Sequence, residues 1–371
     1  MKVAIITIVL GENYGNKLQN YALQKTLEEF GCEVETIKQK RNASIKGIKA
    51  EIKEIIKSIE STICRKQDIY KLRSRRFQQF ERKYIKFSHY SFGMNTRPAR
   101  LSYQYDRFVV GSDQVWNTRF DDIRNNLDNY LAVFAAPGKR IAYAASFGES
   151  TLEDEFLPRF KAELASFAAV SVRELSGVEL AFQCGKVATL VLDPTLLLAR
   201  KEWDEVSVTP GLCFNELYVL AYFLGDEDEN IRHCVENIAG EKHVIRLYKS
   251  WTSEDMISSV GEFTVSPDEF IWLVAHAEFV VTDSYHAAVF SIIYHKPFRI
   301  FNRVDNGLNN RMSDRIDTLA TIFQLRDFRG SIQEPSRIPV NQDWETIESI
   351  LAAEREKSLD FLGKAIGFEG C

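Results

Sequence analysis

No stretch of this sequence approaches the roughly 18–20 consecutive apolar residues that a helix needs to cross a bilayer, so no transmembrane segment is expected. The six cysteines stand at 32, 64, 184, 213, 234 and 371, form no CxxC and pair with no histidine at metal-ligand spacing. Thiols scattered in this way predict a reduced, cytoplasmic protein without a disulfide framework or a structural zinc. There is no excess of positive charge either. A net charge of −5 argues against a general nucleic-acid binder. No His and carboxylate cluster has ligand spacing, so no catalytic metal is expected.

What the sequence does contain is an ordinary globular composition, 45% apolar and 27% charged. At 371 residues it exceeds what one core usually holds, which predicts two domains. Met1, Lys2 and the apolar run from Val3 to Leu10 resemble the start of a signal peptide. No small-residue cleavage site follows, and the run leads into a turn and a helix, so it is read as a first buried strand.

The most informative stretch is 278–298, EFVVTDSYHAAVFSIIYHKPF. Phe279, Val280 and Val281 suit a short buried parallel strand, and the run from His286 to Ile293 has the length and spacing of a packed helix. Between them Thr282, Asp283 and Ser284 are helix-capping residues, and a helix start offers unpaired N–H groups to an anion. His286, in the first helical turn, is placed for anion binding or proton transfer; a satisfied core histidine is the plainer alternative. About 170 residues earlier, RFVVGSDQVW repeats the design with Phe108, Val109 and Val110 followed by Gly111, Ser112 and Asp113. The repetition suggests two α/β domains facing each other.

In chain order, strand 3–9 leads to a turn bracketed by Gly11 and Gly15 and to a helix striped by Leu18, Tyr21, Ala22, Leu27 and Phe30, with Gly31 as its stop and a second strand at 34–37. The turn is GxxxG, neither GxGxxG nor GxxxxGK, so dinucleotide and P-loop readings are weak. Residues 38–90 break the rhythm. Isoleucines at 45, 48, 52, 55, 56, 59 and 63 describe an amphipathic helix, and sixteen Lys and Arg face five Asp and Glu between Lys38 and Lys86. Aromatics at Tyr70, Phe77, Phe80, Tyr84 and Phe87 interleave with these charges. The segment reads as a helical hairpin with a solvated basic face, or as an excursion that touches a membrane surface or an anionic acceptor. Strand-like runs then recur at 106–110, 140–146, 168–172 and 188–192, implying a doubly wound parallel sheet with ligands at the carboxyl ends of its strands. A junction at about 199–216 precedes a second array, 217–224, 243–248, 279–281 and 298–301, with a helix at 267–276 and a last helix at about 343–366. The expected domains are 1–200, with a helical basic insertion at about 40–90, then 201–341, with 342–371 as a helix crossing back to the first.

Several stretches together resemble the polysaccharide pyruvyl transferase family. They are NYGNKLQNYALQ near the start, FVVGSDQVWN at 108–117, YAASFG at 143–148, SVRELSG at 171–177, DPTLLL at 193–198 and TDSYHAAVFSIIYHKPF at 282–298, in the expected order over about 290 residues. The resemblance implies an α/β fold of two Rossmann-like domains facing across a cleft, similar to the GT-B glycosyltransferases. It also implies transfer of the enolpyruvyl unit of phosphoenolpyruvate onto a hexose of a surface polysaccharide or its precursor, giving a pyruvate ketal. Phosphoenolpyruvate would be a substrate, with no cofactor; the acceptor would be a glycan or lipid-linked sugar, handled in the cytoplasm or peripherally at the inner membrane face.

Phosphoenolpyruvate carries a carboxylate and a phosphate, so its pocket needs guanidinium forks and helix N-termini. Arg173 matches the family's anion-binding arginine; a salt bridge to a neighbour such as Glu174 is its plainer reading. Thr282 and Ser284 belong to the helix start. His286 matches the family's histidine and would be the acid or base in ketal formation. Asp113 would orient or deprotonate acceptor hydroxyls, or simply cap a helix. Trp116 and Tyr143 offer faces for a sugar ring unless they are core, and Asn13, Asn16 and Gln19 are further candidates for acceptor hydroxyls. One departure stands out: Ser284, Tyr285 and His286 occupy the place of an Arg-Leu-His run common in the family. Arg299, Arg303 or Arg311 would have to supply the displaced cation. A sugar transferase using a nucleotide-sugar donor and a non-catalytic partner in polysaccharide assembly are the competing functions.

Overall fold

Short β-branched runs that end in turn residues and lead into helices build parallel sheets, because each crossover returns the chain to the same edge direction. The computed structural model, which describes residues 1–40, 61–93, 99–211, 217–225, 227, 229–248, 259–305, 308–309, 314–330 and 342–368, contains two of them. The first joins β1 (Lys2–Ile6), β2 (Glu33–Gln39), β3 (Phe87–Phe92), β4 (Arg107–Val110), β5 (Arg140–Ala145), β6 (Phe167–Val172) and β7 (Thr189–Leu190) in the order β3-β2-β1-β4-β5-β6-β7. The second joins β8 (Tyr218–Phe223), β9 (His243–Tyr248), β10 (Phe279–Thr282) and β11 (Phe298–Ile300) in the order β11-β10-β8-β9. Every pairing in both is parallel. An antiparallel pair, β12 (Val304–Asp305) and β13 (Leu308–Asn309), follows.

The strand order changes direction between β1 and β4 in the first sheet and between β8 and β10 in the second. At such a switch point successive connections leave for opposite faces, and a crevice opens beyond the carboxyl ends of the two strands. The two crevices meet in one cleft, so the molecule is a pair of Rossmann-like domains facing each other.

Among the described residues, the helices of seven or more residues are α1 (Tyr14–Glu29), α2 (Ser61–Tyr84), α3 (Leu157–Leu164), α4 (Leu175–Gln183), α5 (Arg200–Val206), α6 (Glu229–Ala239), α7 (Pro267–His276), α8 (Tyr285–Ile293), α9 (Asp314–Phe323) and α10 (Trp344–Ile366). α8 is buried along its whole length, as an almost uninterrupted apolar run requires. None among the described residues is long and apolar enough to cross a membrane.

One apolar core runs through both halves, from Val3 and Val109 to Val280 and Leu351. At its centre Tyr14 stacks on Phe270 at 4.6 Å and on Phe77 at 5.3 Å, and its hydroxyl donates to the Val265 carbonyl at 3.1 Å. α10 leaves the second half and lies on the first. Ser358 Oγ accepts from the Leu192 N–H at 3.0 Å, and Arg355 Nε donates to the Leu196 carbonyl at 2.8 Å.

The basic stretch differs from its expected form. The helix ends at Tyr84, and Phe87–Phe92 is an edge strand that pairs with β2, where an extension of the helical excursion was expected. Phe77 and Phe80 are core, and Arg73 is buried. Its guanidinium donates to Tyr14 Oη at 3.3 Å and to the Phe263 carbonyl, and pairs with Glu12 at 3.1 Å. Arg76 pairs with buried Glu269 of α7. Arg73 and Arg76 tie α2 to both halves, whereas Lys71, Arg75, Arg82, Lys83 and Lys86 are exposed and form the expected solvated basic face. The isoleucines at 45–59 lie outside the described residues, as does part of the expected junction; its first part is α5, with Trp203 fully buried.

Candidate active site

The cleft holds a cavity of about 500 Å³, within the range of roughly 300–1,000 Å³ usual for small-molecule sites. Its first wall is the β1–α1 turn. Asn13 caps α1, its side chain accepting from the Asn16 N–H at 3.3 Å, and both asparagines line the cavity. Gln19, expected beside them, is enclosed. Its Nε2 donates to Thr7 Oγ1 at 2.9 Å and its Oε1 accepts from Ser112 Oγ at 2.7 Å. Gln19 therefore ties the ends of β1 and β4 together and has nothing left for an acceptor.

The end of β4 is the second part of this wall. Gly111 has φ +119°, and a Cβ there would lie 2.1 Å from the Tyr143 carbonyl oxygen, so only glycine fits. Asp113 follows in left-handed conformation, φ 71°, which turns its carboxylate toward the cleft. Trp116 points the other way, fully buried against Phe147, Phe160 and Phe167. Tyr143 is equally enclosed, with its hydroxyl on the Leu192 carbonyl. Neither ring has a face for a sugar. Large aromatics at sheet edges usually fill cores, and these two do.

The facing wall is the β10–α8 turn. Thr282 is buried, donates to the Tyr222 carbonyl at 2.5 Å and accepts from the Ser284 N–H at 2.9 Å, so it shapes the turn without reaching a ligand. Asp283 accepts from the N–H groups of Leu224 and Gly225 at 2.7 and 2.8 Å, fastening β8 to β10 at the switch point. Ser284 caps α8 and lines the cavity. His286 lines it too. Its Nδ1 lies against α1 of the other half, where a Cβ on Gly15 would stand only 2.0 Å away. Gly15→Ala is therefore expected to push the imidazole aside and cut any His286-dependent activity by at least about tenfold, since small misplacements of a catalytic group are costly. Stability should barely change, because a side chain yields more easily than backbone; parallel activity and denaturation curves check both.

Behind the cavity runs a line of ionisable groups. Asp113 Oδ1 lies 2.8 Å from Arg173 Nη2, Arg173 Nη1 lies 2.7 Å from Asp193 Oδ2, and that oxygen lies 3.7 Å from His286 Nε2. Asp193 Oδ1 also accepts from Thr195 N and Oγ1. The Arg173 side chain is completely buried and is no part of the cavity lining, contrary to its expected place on the donor. It pairs mainly with Asp113 and Asp193, whereas Glu174 is more distant at 3.9 Å. Burial would raise both aspartates, but Arg173 and His286 hold their carboxyls below the ordinary range, and Asp113 and Asp193 in turn hold the guanidinium firmly charged. Two depressed carboxyls add stability that is present above their unfolded value of about 3.9 and is lost as pH falls through the native ones.

Two cations do line the cavity, Arg303 and Arg315. Arg303 Nε lies 3.5 Å from Asp283 Oδ2. Arg315, near the start of α9, is buried and faces the Tyr285 ring at 5.8 Å; Arg173 faces the same ring at 4.9 Å. Burial and the neighbouring Arg173 pull Arg315 down to about 10. Arg299 is turned away, donating to the Arg329 carbonyl at 2.6 Å, and Arg311 lies outside the described residues. Arg315 and the Asp193–His286 contact are absent from the sequence expectations. Asp193 carried a signal, an acid directly after the strand-like run 188–192, whereas Arg315 is placed by tertiary packing alone. Among the described residues, no group of His, Cys, Asp and Glu could hold a metal.

A family model described as polysaccharide pyruvyl transferase matches residues 13–306, which include Asp113, Arg173, Asp193, His286 and Arg303. The chain belongs to the polysaccharide pyruvyl transferase family. It is accordingly a transferase, and Arg315 lies beyond the matched residues of the family. No curated protein matches the sequence. Among solved structures the chain is similar to a putative UDP-N-acetylglucosamine 2-epimerase from Listeria monocytogenes, at 10% identity over 96% of each chain with a TM-score of 0.50. It is also similar to the UDP-GlcNAc 2-epimerases of Neisseria meningitidis, 7% identical over 97% and 100% of the two chains with a TM-score of 0.48, and Methanocaldococcus jannaschii, 12% identical over 95% and 100% with 0.44. The first likeness shows the shared GT-B-like fold.

Proposed function

We propose that this pyruvyl transferase family member transfers the enolpyruvyl unit of phosphoenolpyruvate to two hydroxyls of a hexose in a surface polysaccharide or its precursor, forming a pyruvate ketal. The observation that carries the reading is the meeting, at two facing switch points, of His286 backed by Asp193 with the two cavity arginines. The donor's phosphate and carboxylate lie against Arg303, Arg315 and the N-terminus of α8. An anion there offsets the burial and the repulsion that pull Arg315 down. Arg303 and Arg315 thus stand in for the cation that Ser284 does not supply.

His286 handles the proton. Protonating the donor's methylene carbon leaves an oxocarbenium-like centre at the adjoining carbon, which one acceptor hydroxyl attacks; the second hydroxyl then displaces phosphate. The new methyl group takes up one proton, and of the two hydroxyl protons one balances it and the other leaves with phosphate. Asp113, held below the ordinary range by Arg173, is a weak base and a good acceptor, so its role is to orient a hydroxyl. Asn13 and Asn16 contribute to the same wall.

The test is phosphate release from phosphoenolpyruvate with and without glycosyl acceptors, beside a nucleotide-sugar arm. Release only when acceptor is present supports the reading; turnover only with the nucleotide-sugar replaces it with a glycosyl transfer on the same fold.

A further inference from the structure

α4 begins without a cap of its own. Glu174 stands at the N-cap but makes no capping hydrogen bond; its carboxylate accepts instead from the N–H groups of Phe147 and Gly148 at 2.8 and 3.4 Å. The first N–H groups of α4 are satisfied from the other half of the molecule. Leu175 N donates to Thr318 Oγ1 at 3.1 Å, and Ser176 N donates to Asp314 Oδ2 at 3.3 Å. Ser176 Oγ donates to the same carboxylate oxygen at 2.5 Å. Both acceptors belong to α9, and an acid at a helix N-terminus is additionally favoured by the helix dipole. Arg315 adjoins Asp314 and precedes Thr318 by less than a turn, so the contacts that cap α4 are those that fix Arg315 in the cavity wall.

We propose that Asp314 and Thr318 are positioning residues, which cap α4 from across the cleft and thereby latch the two halves while holding Arg315 over Tyr285. Closing the cleft and presenting the cation are then one event. The halves are joined elsewhere by the Tyr14–Phe270–Phe77 stack, which is apolar and costly to separate. The α4–α9 contact is polar and can exchange its partners for water at little net cost, so this is the side that opens. The consequence for donor capture rests on the function proposed above; the latch does not.

The test uses the full chain as Asp314→Ala, Asp314→Asn and Thr318→Val. Hydrogen exchange reads the first turn of α4, and the rate of phenylglyoxal labelling, located by mass spectrometry, reads Arg315. Asp314→Ala is expected to accelerate both by about tenfold while β4 and β5 keep their protection, as for a local opening. Asp314→Asn retains an acceptor oxygen and should show smaller increases, as should Thr318→Val if Asp314→Ala fails to fold. Unchanged exchange and labelling would overturn the latch, and faster exchange with unchanged labelling would overturn its tie to Arg315. In wild type, phosphoenolpyruvate should protect Arg315 from labelling. No protection, with the variants still labelled faster, would refute the donor reading and leave the latch standing.

Discussion

Replacing His286 by alanine is expected to lower transfer by about 10²–10⁴-fold, the usual contribution of a positioned proton-transfer group. The loss should appear in kcat more than in donor affinity, because the anion contacts assigned to Arg303 and Arg315 remain. The fold should persist, since Asp193 keeps Arg173 and Thr195 as partners when the imidazole is removed. Asp193→Asn is the companion experiment. It leaves His286 in place and removes the charge 3.7 Å from Nε2, so it should reduce kcat less than His286→Ala does. Near-normal turnover by a folded His286→Ala protein would take the imidazole out of the mechanism.

Arg173→Ala is expected to be the most destabilising single change at the site, by roughly 3–5 kcal/mol, because it leaves two buried carboxylates without their common partner. Denaturant unfolding measures it. The pH dependence gives a second readout with a definite sign. In the wild type, depressed carboxyls mean that stability is held above about pH 4 and falls as pH drops through the native values. With Arg173 gone, burial is the largest influence left on Asp113, so the acid-side fall should flatten. Arg173→Lys should lie between, since an ammonium keeps the charge but cannot fork between Asp113 and Asp193. A variant as stable as wild type, with the same acid limb, would mean that the observed pairing adds nothing.

The architecture was legible because each buried strand announces itself twice, by β-branched residues and by the turn chemistry at its end. β9 and α7 have the boundaries their patterns predict, and FVV at 108–110 and 279–281 does mark the two switch points. β3 was missed because Phe87–Phe92 follows a long charged helix and carries no β-branched residue. Side-chain direction was the harder matter. Thr282 ends β10, Trp116 lies in the turn beyond β4, Tyr143 lies within β5 and Gln19 within α1; at each place a residue can face either the cleft or the core, and all four are buried in the core network. Arg173 illustrates the same limit for charge: a lone arginine after a strand reads as a ligand, yet two aspartates 80 residues apart in sequence enclose it from both sides. Arg315 carried no local signal, because its position depends on α9 docking onto α4.

The central claim is a transfer that joins the three-carbon unit of phosphoenolpyruvate to a sugar and releases phosphate. Its most direct measurement is incubation of the protein with carbon-labelled phosphoenolpyruvate and glycosyl acceptors, counting acceptor-bound label and free phosphate together. The expected result is equal amounts of both, dependent on acceptor and lost in His286→Ala. Label that never reaches the acceptor, with phosphoenolpyruvate left intact across the acceptor panel, would contradict it.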